Sequence, residues 1–418
     1  MGIKREDIEI MAPVGSYESL MAAIQAGADA VYFGLSKMNM RSRSSINFDE
    51  SDLDKILDIC KKHNINSYLT LNIVIFEEEI TRMKELVDLA AEKGITAIIA
   101  SDHSVIHYAR SKGVEVHVST QVNISNSEAV RFYSEFADVM VLARELNMDQ
   151  VSQIYKTIQE ENILGPSGKQ VKLEMFVHGA LCMATSGKCY MSLHELNYSA
   201  NRGACLQVCR RGYTLTDKET GRELDIDNEF IMSPKDLSTI HFLNKILDAG
   251  VRVLKIEGRA RPAEYVKIVT RSYNEAVNSI IDGSYNTEKI NRWKEQLSTV
   301  FNRGFWDGYY LGQQLGEWSH VYGSRATRKK IYVGKCTNYF SNIGVGEFTC
   351  EASELHLGEE IIITGQTTGV LQYIPEEIRE DLINVKKTNK GIKFSIAVPE
   401  IVRRNDKLFR FVEPSVSK

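Results

Sequence analysis

Four cysteines that lie close together are the residues with the clearest potential for chemistry. Cys182, Cys189, Cys205 and Cys209 fall within 28 residues and are separated by six, fifteen and three residues. Four thiolates can hold an iron–sulfur cluster or a tetrahedral zinc ion. Zinc ribbons normally use paired Cys-x2-Cys motifs, whereas the irons of a cluster accept wider and uneven spacing. The spacing therefore favours a cluster over zinc, with unligated core or reactive cysteines as the third alternative.

The composition is that of an ordinary folded protein of 418 residues. Hydrophobic residues make up 43% and charged residues 25% of the chain, with a net charge of −4. These values exclude disordered and collagen-like chains. Since the net charge is negative, RNA binding would depend on a local basic patch.

The sequence predicts no membrane span, and residues 1–7 lack the apolar core of a signal peptide, so we expect a cytoplasmic protein. Cysteines stay reduced in that compartment. The remaining three, Cys60, Cys336 and Cys350, are expected to be small buried hydrophobes.

Short β-branched runs alternate with amphipathic segments of about 10–18 residues, which is typical of βα units. Eight such strands in series favour a (β/α)8 TIM-like barrel over an open sheet. The predicted strands are Ile8–Ala12, Ala30–Gly34, Ser67–Asn72, Ala97–Ala100, Val114–Ser119, Val139–Ala143, Lys172–Phe176 and Val251–Ile256. Polar residues follow many of these strands, and in a barrel that edge is the catalytic face.

The rest of the chain suggests three further parts. Residues 180–235 form a cysteine-rich insertion in the barrel domain (1–284), since this connection is too long for a normal loop. Residues 285–330 are interpreted as a helical bridge. Short alternating strands over 331–418 predict a small C-terminal all-β barrel domain.

Charged residues near the end of the eighth strand are candidates for binding an anion or transferring protons. Lys255, Glu257 and Arg259 share one side if the strand persists, and Arg261 follows them. The alternative is a structural ion-pair cluster at the barrel rim. His178 follows the predicted seventh strand, where it could transfer protons or make a structural hydrogen bond.

Several arginines could form a track for RNA phosphates or another anion on this face. The alternative for those in the loop after the second strand is plain solvent exposure. Besides Arg261, the candidates are Arg41, Arg43, Arg202, Arg210 and Arg211.

The cysteine segment also carries a family resemblance. Residues 174–192, EMFVHGALCMATSGKCYMS, look like the signature of the collagenase-like peptidase family, peptidase family U32. The motifs NRGAC at 201–205, CRR at 209–211, SPKDL at 233–237 and KIEGR at 255–259 continue the resemblance. It covers the barrel and, with the bridge and end domain, essentially the whole chain.

The resemblance implies more than proteolysis, because several members of this family are O2-independent hydroxylases with a 4Fe–4S cluster. The chain is most similar to the branch that makes 5-hydroxyuridine at the tRNA wobble position with prephenate-dependent chemistry. By this resemblance the four cysteines would ligate the cluster, prephenate or a related molecule would be the hydroxyl donor, and tRNA would be the partner. A ribosomal RNA hydroxylase and a collagenase-like peptidase are the alternative functions.

The residues themselves offer little support for a peptidase. The chain has no His-Glu-x2-His zinc motif, since Leu196, Asn197 and Tyr198 follow His194-Glu195, and no Gly-x-Ser-x-Gly motif. A Cys182 nucleophile with His178 as base is conceivable. However, a nucleophile needs one cysteine, and a metal better explains four.

Overall fold

The structure is a computed structural model that describes residues 3–43, 47–223, 230–313, 315–321 and 323–413. Its first part alternates strands and helices along the chain. In order, these are β1 (Glu9–Pro13), α1 (Tyr17–Gln25), β2 (Ala30–Phe33), α2 (Leu53–Lys62), β3 (Asn66–Leu71), α3 (Ile80–Lys93), β4 (Ala97–Ala100), α4 (His103–Ser111), β5 (Glu115–Val118), α5 (Ser127–Ser134), β6 (Val139–Val141), α6 (Met148–Glu160), β7 (Lys172–Ala180), α7 (Met191–Leu196), β8 (Asp236–Ser238), α8 (Leu243–Asp248), β9 (Val251–Ile256) and α9 (Ala263–Ile281).

Eight parallel strands close into a barrel. Strands β1 to β7 pair in sequence, and β9 pairs in parallel with both β7 and β1. The inner and outer faces of these strands are buried, as expected where helices cover a parallel sheet. The predicted (β/α)8 barrel is confirmed, and each of the eight predicted strands is present within a few residues of its predicted bounds.

Local chemistry explains where the barrel helices start and stop. Ser16 and Asn147 accept hydrogen bonds from the free amides of the first turns of α1 and α6, which satisfies donors that have no partner within the helix. Helix α3 ends at Gly94 in the left-handed conformation that glycine adopts without strain. The apolar faces of these helices pack on the barrel strands in one large core.

Strand β7 is longer than the sequence predicted. It runs to Ala180 rather than Phe176, because the short strand β8 returns antiparallel to its last residues and satisfies their backbone groups. His178 therefore lies within β7 instead of following it. Gly179 has a φ of +106°, and a side chain there would collide with the Glu257 carbonyl, so this position requires glycine.

The remaining elements join the barrel to an all-β region. They are α10 (Thr287–Ser298), β10 (Phe305–Trp306), β11 (Lys329–Phe340), β12 (Val345–Cys350), β13 (Ile361–Gly365), β14 (Gly369–Tyr373), β15 (Arg379–Glu380), β16 (Ile383–Asn384), β17 (Lys393–Ala397) and β18 (Lys407–Val412). Strand β10 pairs with β8 and so extends the barrel sheet.

The eight C-terminal strands form one antiparallel sheet with its own core, which confirms the predicted all-β region. Its order is β14-β13-β18-β11-β12-β17-β15-β16. Gln25 of α1 fastens this region to the barrel, since its amide donates to the Thr368 carbonyl and accepts from the Val370 amide. Lys330 adds an ion pair to Glu264 of α9 at 2.7 Å.

Within the described part of the chain, none of the helices combines the length and apolar character that a bilayer crossing demands.

Candidate functional site

A cavity of about 230 Å³ opens at the carboxyl ends of the barrel strands. Residues that follow β3, β5, β6 and β9 form its wall, and residues 181–210 of the connection between β7 and β8 close over it. All four clustered cysteines line this cavity. The cavity lies at the edge of the barrel where the ends of separate strands meet, which is the edge that the sequence predicts as the catalytic face.

Contacts to two barrel loops hold the cysteine segment in place. The guanidinium of Arg202 donates to Glu79 at 2.6 and 2.8 Å and lies 3.7 Å from the centre of the Phe76 ring. Arg43 lies over the Tyr198 ring at 4.7 Å. Gly203 packs so closely on the loop after β2 that a Cβ there would meet the Asn39 carbonyl. Residues 181–210 therefore pack against these loops and cover the cavity.

The four cysteines lie close enough to one another for their thiols to interact electrostatically. All are free thiols, with Cys182 exposed and Cys189, Cys205 and Cys209 partly buried. Burial raises the pKa of the Cys209 thiol to about 11, and the other three thiols add to this effect. Among the described residues, no three His, Cys, Asp or Glu side chains are arranged to hold one metal ion. Four thiols at one cavity are donors of the kind that an iron–sulfur cluster or a zinc ion uses.

The cavity has a strong excess of positive charge. Of its described lining residues, seven are basic and one, Glu257, is acidic. The basic residues are Arg41, Arg144, Arg210, Lys255, Arg259, Arg261 and Arg303. Two further carboxylates lie behind the wall, where Asp236 neighbours Arg303 at 3.4 Å and Glu174 pairs with Lys255 at 2.6 Å. Three carboxylates against seven cations leave a site suited to an anionic ligand.

Glu257 and Arg259 lie at the centre of this charge pattern. Arg41 pairs with Glu257 at 3.1 Å. Burial alone would raise the pKa of Glu257, but Arg41, Arg259 and Arg144 outweigh burial and hold it below its usual value. Arg259 donates to Thr70 at 2.8 Å and to Asn39 at 3.1 Å. Burial lowers the pKa of Arg259 to about 10, so the guanidinium remains charged at neutral pH.

Arg210 ties the two ends of the cysteine segment together. Its guanidinium donates to the carbonyls of Leu181 and Pro234, each at 2.5 Å, and to the Ser233 hydroxyl at 3.0 Å. These three acceptors are neutral, so the charge of Arg210 adds to the positive field beside Cys209.

His178 is enclosed by aromatic rings on the far side of β7. It is fully buried, its Nδ1 lies 3.4 Å from the Tyr273 hydroxyl, and its ring packs against Tyr265, Tyr273 and Phe305. Burial, with a smaller effect of Arg261, lowers its pKa to about 3, so the imidazole is neutral. His178 is absent from the described lining of the cavity.

The structure divides the other candidates into two groups. Lys255, Glu257 and Arg259 line the cavity together with Arg41, Arg210 and Arg261. Arg43 and Arg202 instead stack on aromatic rings, and Arg211 pairs with Glu195 at 2.7 Å near the surface.

Two arginines of the cavity were not among the candidate site residues. Arg144 donates to the Ser186 hydroxyl at 2.7 Å, and Arg303 reaches Asp236 from the chain beyond α10. The position of Arg144 directly after the sixth predicted strand was a usable signal. Nothing local in the sequence places Arg303 there, because it depends on the pairing of β10 with β8.

Comparison with known proteins assigns the chain to a family. Residues 15–320 match the sequence profile of peptidase family U32. A protein from Porphyromonas gingivalis named collagenase is 64% identical over 405 residues, covering 97% of this chain and 98% of the relative. The chain belongs to peptidase family U32.

Other members of the U32 family have names that refer to RNA. The tRNA hydroxylation protein P1 of Bacillus subtilis is 31% identical over 339 residues, covering 79% of this chain and 77% of that protein. The 23S rRNA 5-hydroxycytidine C2501 synthase of Escherichia coli is 30% identical over 324 residues, covering 76% of this chain and 47% of that protein. The family therefore includes proteins named as hydroxylases and as a peptidase, and these names support an enzyme.

Proposed function

We propose that this chain is a cytoplasmic RNA-modifying enzyme that hydroxylates C5 of a tRNA wobble uridine without O2. In this proposal Cys182, Cys189, Cys205 and Cys209 hold a 4Fe–4S cluster. The observation that carries it is one cavity in which four free thiols face a surplus of guanidinium and ammonium groups. The relatives named for tRNA and rRNA hydroxylation add support.

The positive field of the cavity suits the two anions that the reaction needs. Reaction without O2 requires another hydroxyl donor, and prephenate or a related molecule carries carboxylates that arginine binds through paired hydrogen bonds. RNA brings phosphates, which arginines at the mouth, such as Arg41 and Arg261, would hold. When bound, the cluster would supply thiolate-ligated iron at the mouth of the same cavity.

The proposed roles of the central residues follow from their positions. Lys255 would exchange a proton with the bound substrate, because its ammonium reaches the cavity from the barrel interior. Glu257 would hold Arg41 and Arg259 in place, and Arg259 would bind an anionic group. Since these side chains lie within the barrel, a uridine must leave its stack and enter as a single base.

Metal analysis and nucleoside analysis test this proposal together. Protein purified without oxygen should contain iron and sulfide near four atoms each per chain, with thiolate-to-iron absorption in the visible range. Cys182→Ser should lose both, while Cys60→Ala, which changes a buried cysteine of α2, should keep them. The tRNA of a strain that lacks the gene should lose 5-hydroxyuridine, and the wild-type gene should restore it.

Other outcomes of the same experiment contradict the proposal. Zinc, or protein without metal, would remove the cluster on which it depends. Loss of a hydroxylated nucleoside from ribosomal RNA, with tRNA unchanged, would assign the chain to the ribosomal alternative.

Peptidase activity is the second candidate, because the relative with 64% identity is named collagenase. The buried position of His178 argues against a Cys182–His178 pair, since its ring contacts Tyr265, Tyr273 and Phe305. Hydrolysis of gelatin by metal-free protein, abolished in Cys182→Ala, would establish the peptidase. Equal hydrolysis by both proteins would indicate a contaminant.

A further inference from the structure

A row of ionisable side chains crosses the interior of the barrel below the cavity. Glu115 and His117 lie two residues apart on β5, so both project to the same side of the strand. Glu115 Oε1 is 3.4 Å from His117 Nε2, and His117 Nδ1 is 3.4 Å from Glu174 Oε2 on β7. The other oxygen of Glu174 accepts a hydrogen bond from Lys255 Nζ on β9 at 2.6 Å.

The two ends of this row reach different environments. The side chain of Glu115, at the start of β5, is 40% exposed at the amino-terminal end of the barrel. His117 and Glu174 are 1% and 0% exposed, and Lys255 is 5% exposed. Lys255 lines the cavity, whereas the other three are absent from its described lining. The row therefore joins solvent at one end of the barrel to the cavity at the other.

The groups around His117 favour its protonated form. Although burial opposes protonation, the contacts to Glu115 and Glu174 and the charge of Glu9 raise its pKa to about 9. Glu9 projects from β1 and accepts hydrogen bonds from Tyr68 of β3, whose ring packs on His117 at 4.5 Å. These carboxylates therefore keep the imidazole protonated at neutral pH.

This arrangement is costly as a purely structural core. Barrel interiors are normally filled by layers of branched apolar side chains, and apolar replacements of buried ion pairs are often neutral or stabilising. Neither ring nitrogen of His117 makes a well-aligned hydrogen bond, and neither does Glu174 Oε2. Buried polar atoms in that state are uncommon in native proteins and point to a functional reason.

We propose that Glu115, His117, Glu174 and Lys255 form a proton conduit between the cavity and solvent at the amino-terminal end of the barrel. The conduit rests on the proposed function for the reaction it serves, which takes place while RNA covers the mouth. Through it, Lys255 recovers a proton without opening that mouth.

The transfers balance as a chain of single proton steps with no change in electron count. After the Lys255 ammonium gives a proton to a bound group, His117 passes its Nδ1 proton to Glu174, and Glu174 passes that proton to the Lys255 amine. The imidazole, now protonated only at Nε2, turns over about its Cβ–Cγ bond, so that Nδ1 faces Glu115. The Glu115 carboxylate takes a proton from hydronium at the amino-terminal end of the barrel and passes it to Nδ1, which restores both the imidazolium and the carboxylate. The lack of well-aligned hydrogen bonds to the ring permits this turn.

The experiment measures how fast His117 equilibrates with solvent in the full-length holoprotein. A light-triggered pH jump changes the proton concentration, and time-resolved infrared spectroscopy follows the ring-labelled imidazole, identified by its loss in His117→Gln. We expect Glu115→Gln to slow this protonation at least tenfold. Glu92→Gln, which changes an exposed carboxylate at the end of α3 near the same end of the barrel, should match the wild type. Equal rates in Glu115→Gln and the wild type would overturn the conduit.

A second readout connects the conduit to catalysis. Glu115→Gln should lower kcat for RNA hydroxylation at least fivefold with an unchanged KM, and Glu92→Gln should leave both unchanged. An unchanged kcat in Glu115→Gln would overturn the role in turnover. If the wild type hydroxylates no RNA, the proposed function fails, and the infrared rates still decide whether the conduit exists.

Discussion

Replacing His117 by glutamine should change how the stability of the protein depends on pH. The imidazole is buried between Glu115 and Glu174, which raise its pKa from about 6.5 in the unfolded chain to about 9 in the folded protein. Because the folded pKa is the higher one, the protonated ring stabilises the fold. That contribution is complete below pH 6.5 and is lost as the pH rises towards 9.

The size of the effect follows from the difference between the two pKa values. One pH unit corresponds to about 1.4 kcal/mol, so protonation of His117 contributes about 3 kcal/mol to the free energy of unfolding at pH 6. Glutamine cannot bind this proton. The gap in stability between wild type and His117→Gln should therefore shrink by about 3 kcal/mol between pH 6 and pH 9.5.

Urea unfolding followed by far-ultraviolet circular dichroism measures this gap. Both proteins are prepared identically at pH 6, 7, 8, 9 and 9.5, so that other titrating groups contribute equally and cancel in the comparison. His63→Gln is the control for replacing a histidine by glutamine, because His63 is an exposed residue at the end of α2, outside the barrel interior. A gap that is constant for His117→Gln across this range would refute the reasoning, since the ring would then not be charged in the fold.

Two further variants test how the cavity and the barrel are held together. Arg202→Ala removes the ion pair to Glu79 that fastens the cysteine segment. Limited proteolysis should therefore cut within residues 181–210 at least several-fold faster than in the wild type. An unchanged rate would contradict this anchoring role. Gly250→Ala should lower the free energy of unfolding by more than about 3 kcal/mol, because a Cβ there would overlap the Tyr155 ring at a φ of +94°. Gly94 also has a positive φ but has open space around it, so Gly94→Ala should lower the free energy of unfolding by only about 1 kcal/mol in the same urea measurement. Equal decreases in the two variants would reject the steric argument.

The barrel could be predicted from the sequence because its strands are short, apolar and regularly followed by helix signals. Ala97–Ala100 and Val251–Ile256 match their predicted bounds, since glycine and charged residues mark both ends. The β-region was predicted less fully. The sequence predicts strands there at Ile331–Cys336, Gly344–Cys350, Glu360–Thr364, Lys393–Ala397 and Leu408–Val412. It predicts none at β14 (Gly369–Tyr373), because a glycine opens this strand and its hairpin partner supplies the pairing that holds it.

The site was predictable where its residues cluster in sequence and hidden where distant strands assemble it. The cysteines share one short segment, and Lys255, Glu257 and Arg259 share one strand end, so spacing alone singles them out. His117 carries no such signal, because a lone histidine in an apolar run is typical of a core. Its partner Glu174 is 57 residues away, and only barrel closure brings them together.

His178 illustrates the opposite case, in which a motif residue lies away from the cavity. The sequence predicts that His178 follows the seventh strand. The pairing of Ala180 with Asp236 and of His178 with Ser238 extends the strand by four residues. Glu174 and Phe176 face the barrel interior, and simple alternation would put His178 on that side as well. A register shift of β7 against β9 between Phe176 and His178 pairs His178 with Ile256 and turns it to the other side.

Because β7 pairs antiparallel with β8, the segment between these two strands can change during evolution without a change in the barrel. The chain leaves at Ala180 and returns at Asp236, its hydrogen-bonded neighbour, so both ends of the excursion are fixed whatever its length. Doubling the length of such a loop costs only about 0.6 kcal/mol of closure entropy. Insertions, deletions or a replacement segment between these two residues therefore leave the barrel intact. Family members can in this way share one barrel and differ in chemistry through the segment that covers the cavity.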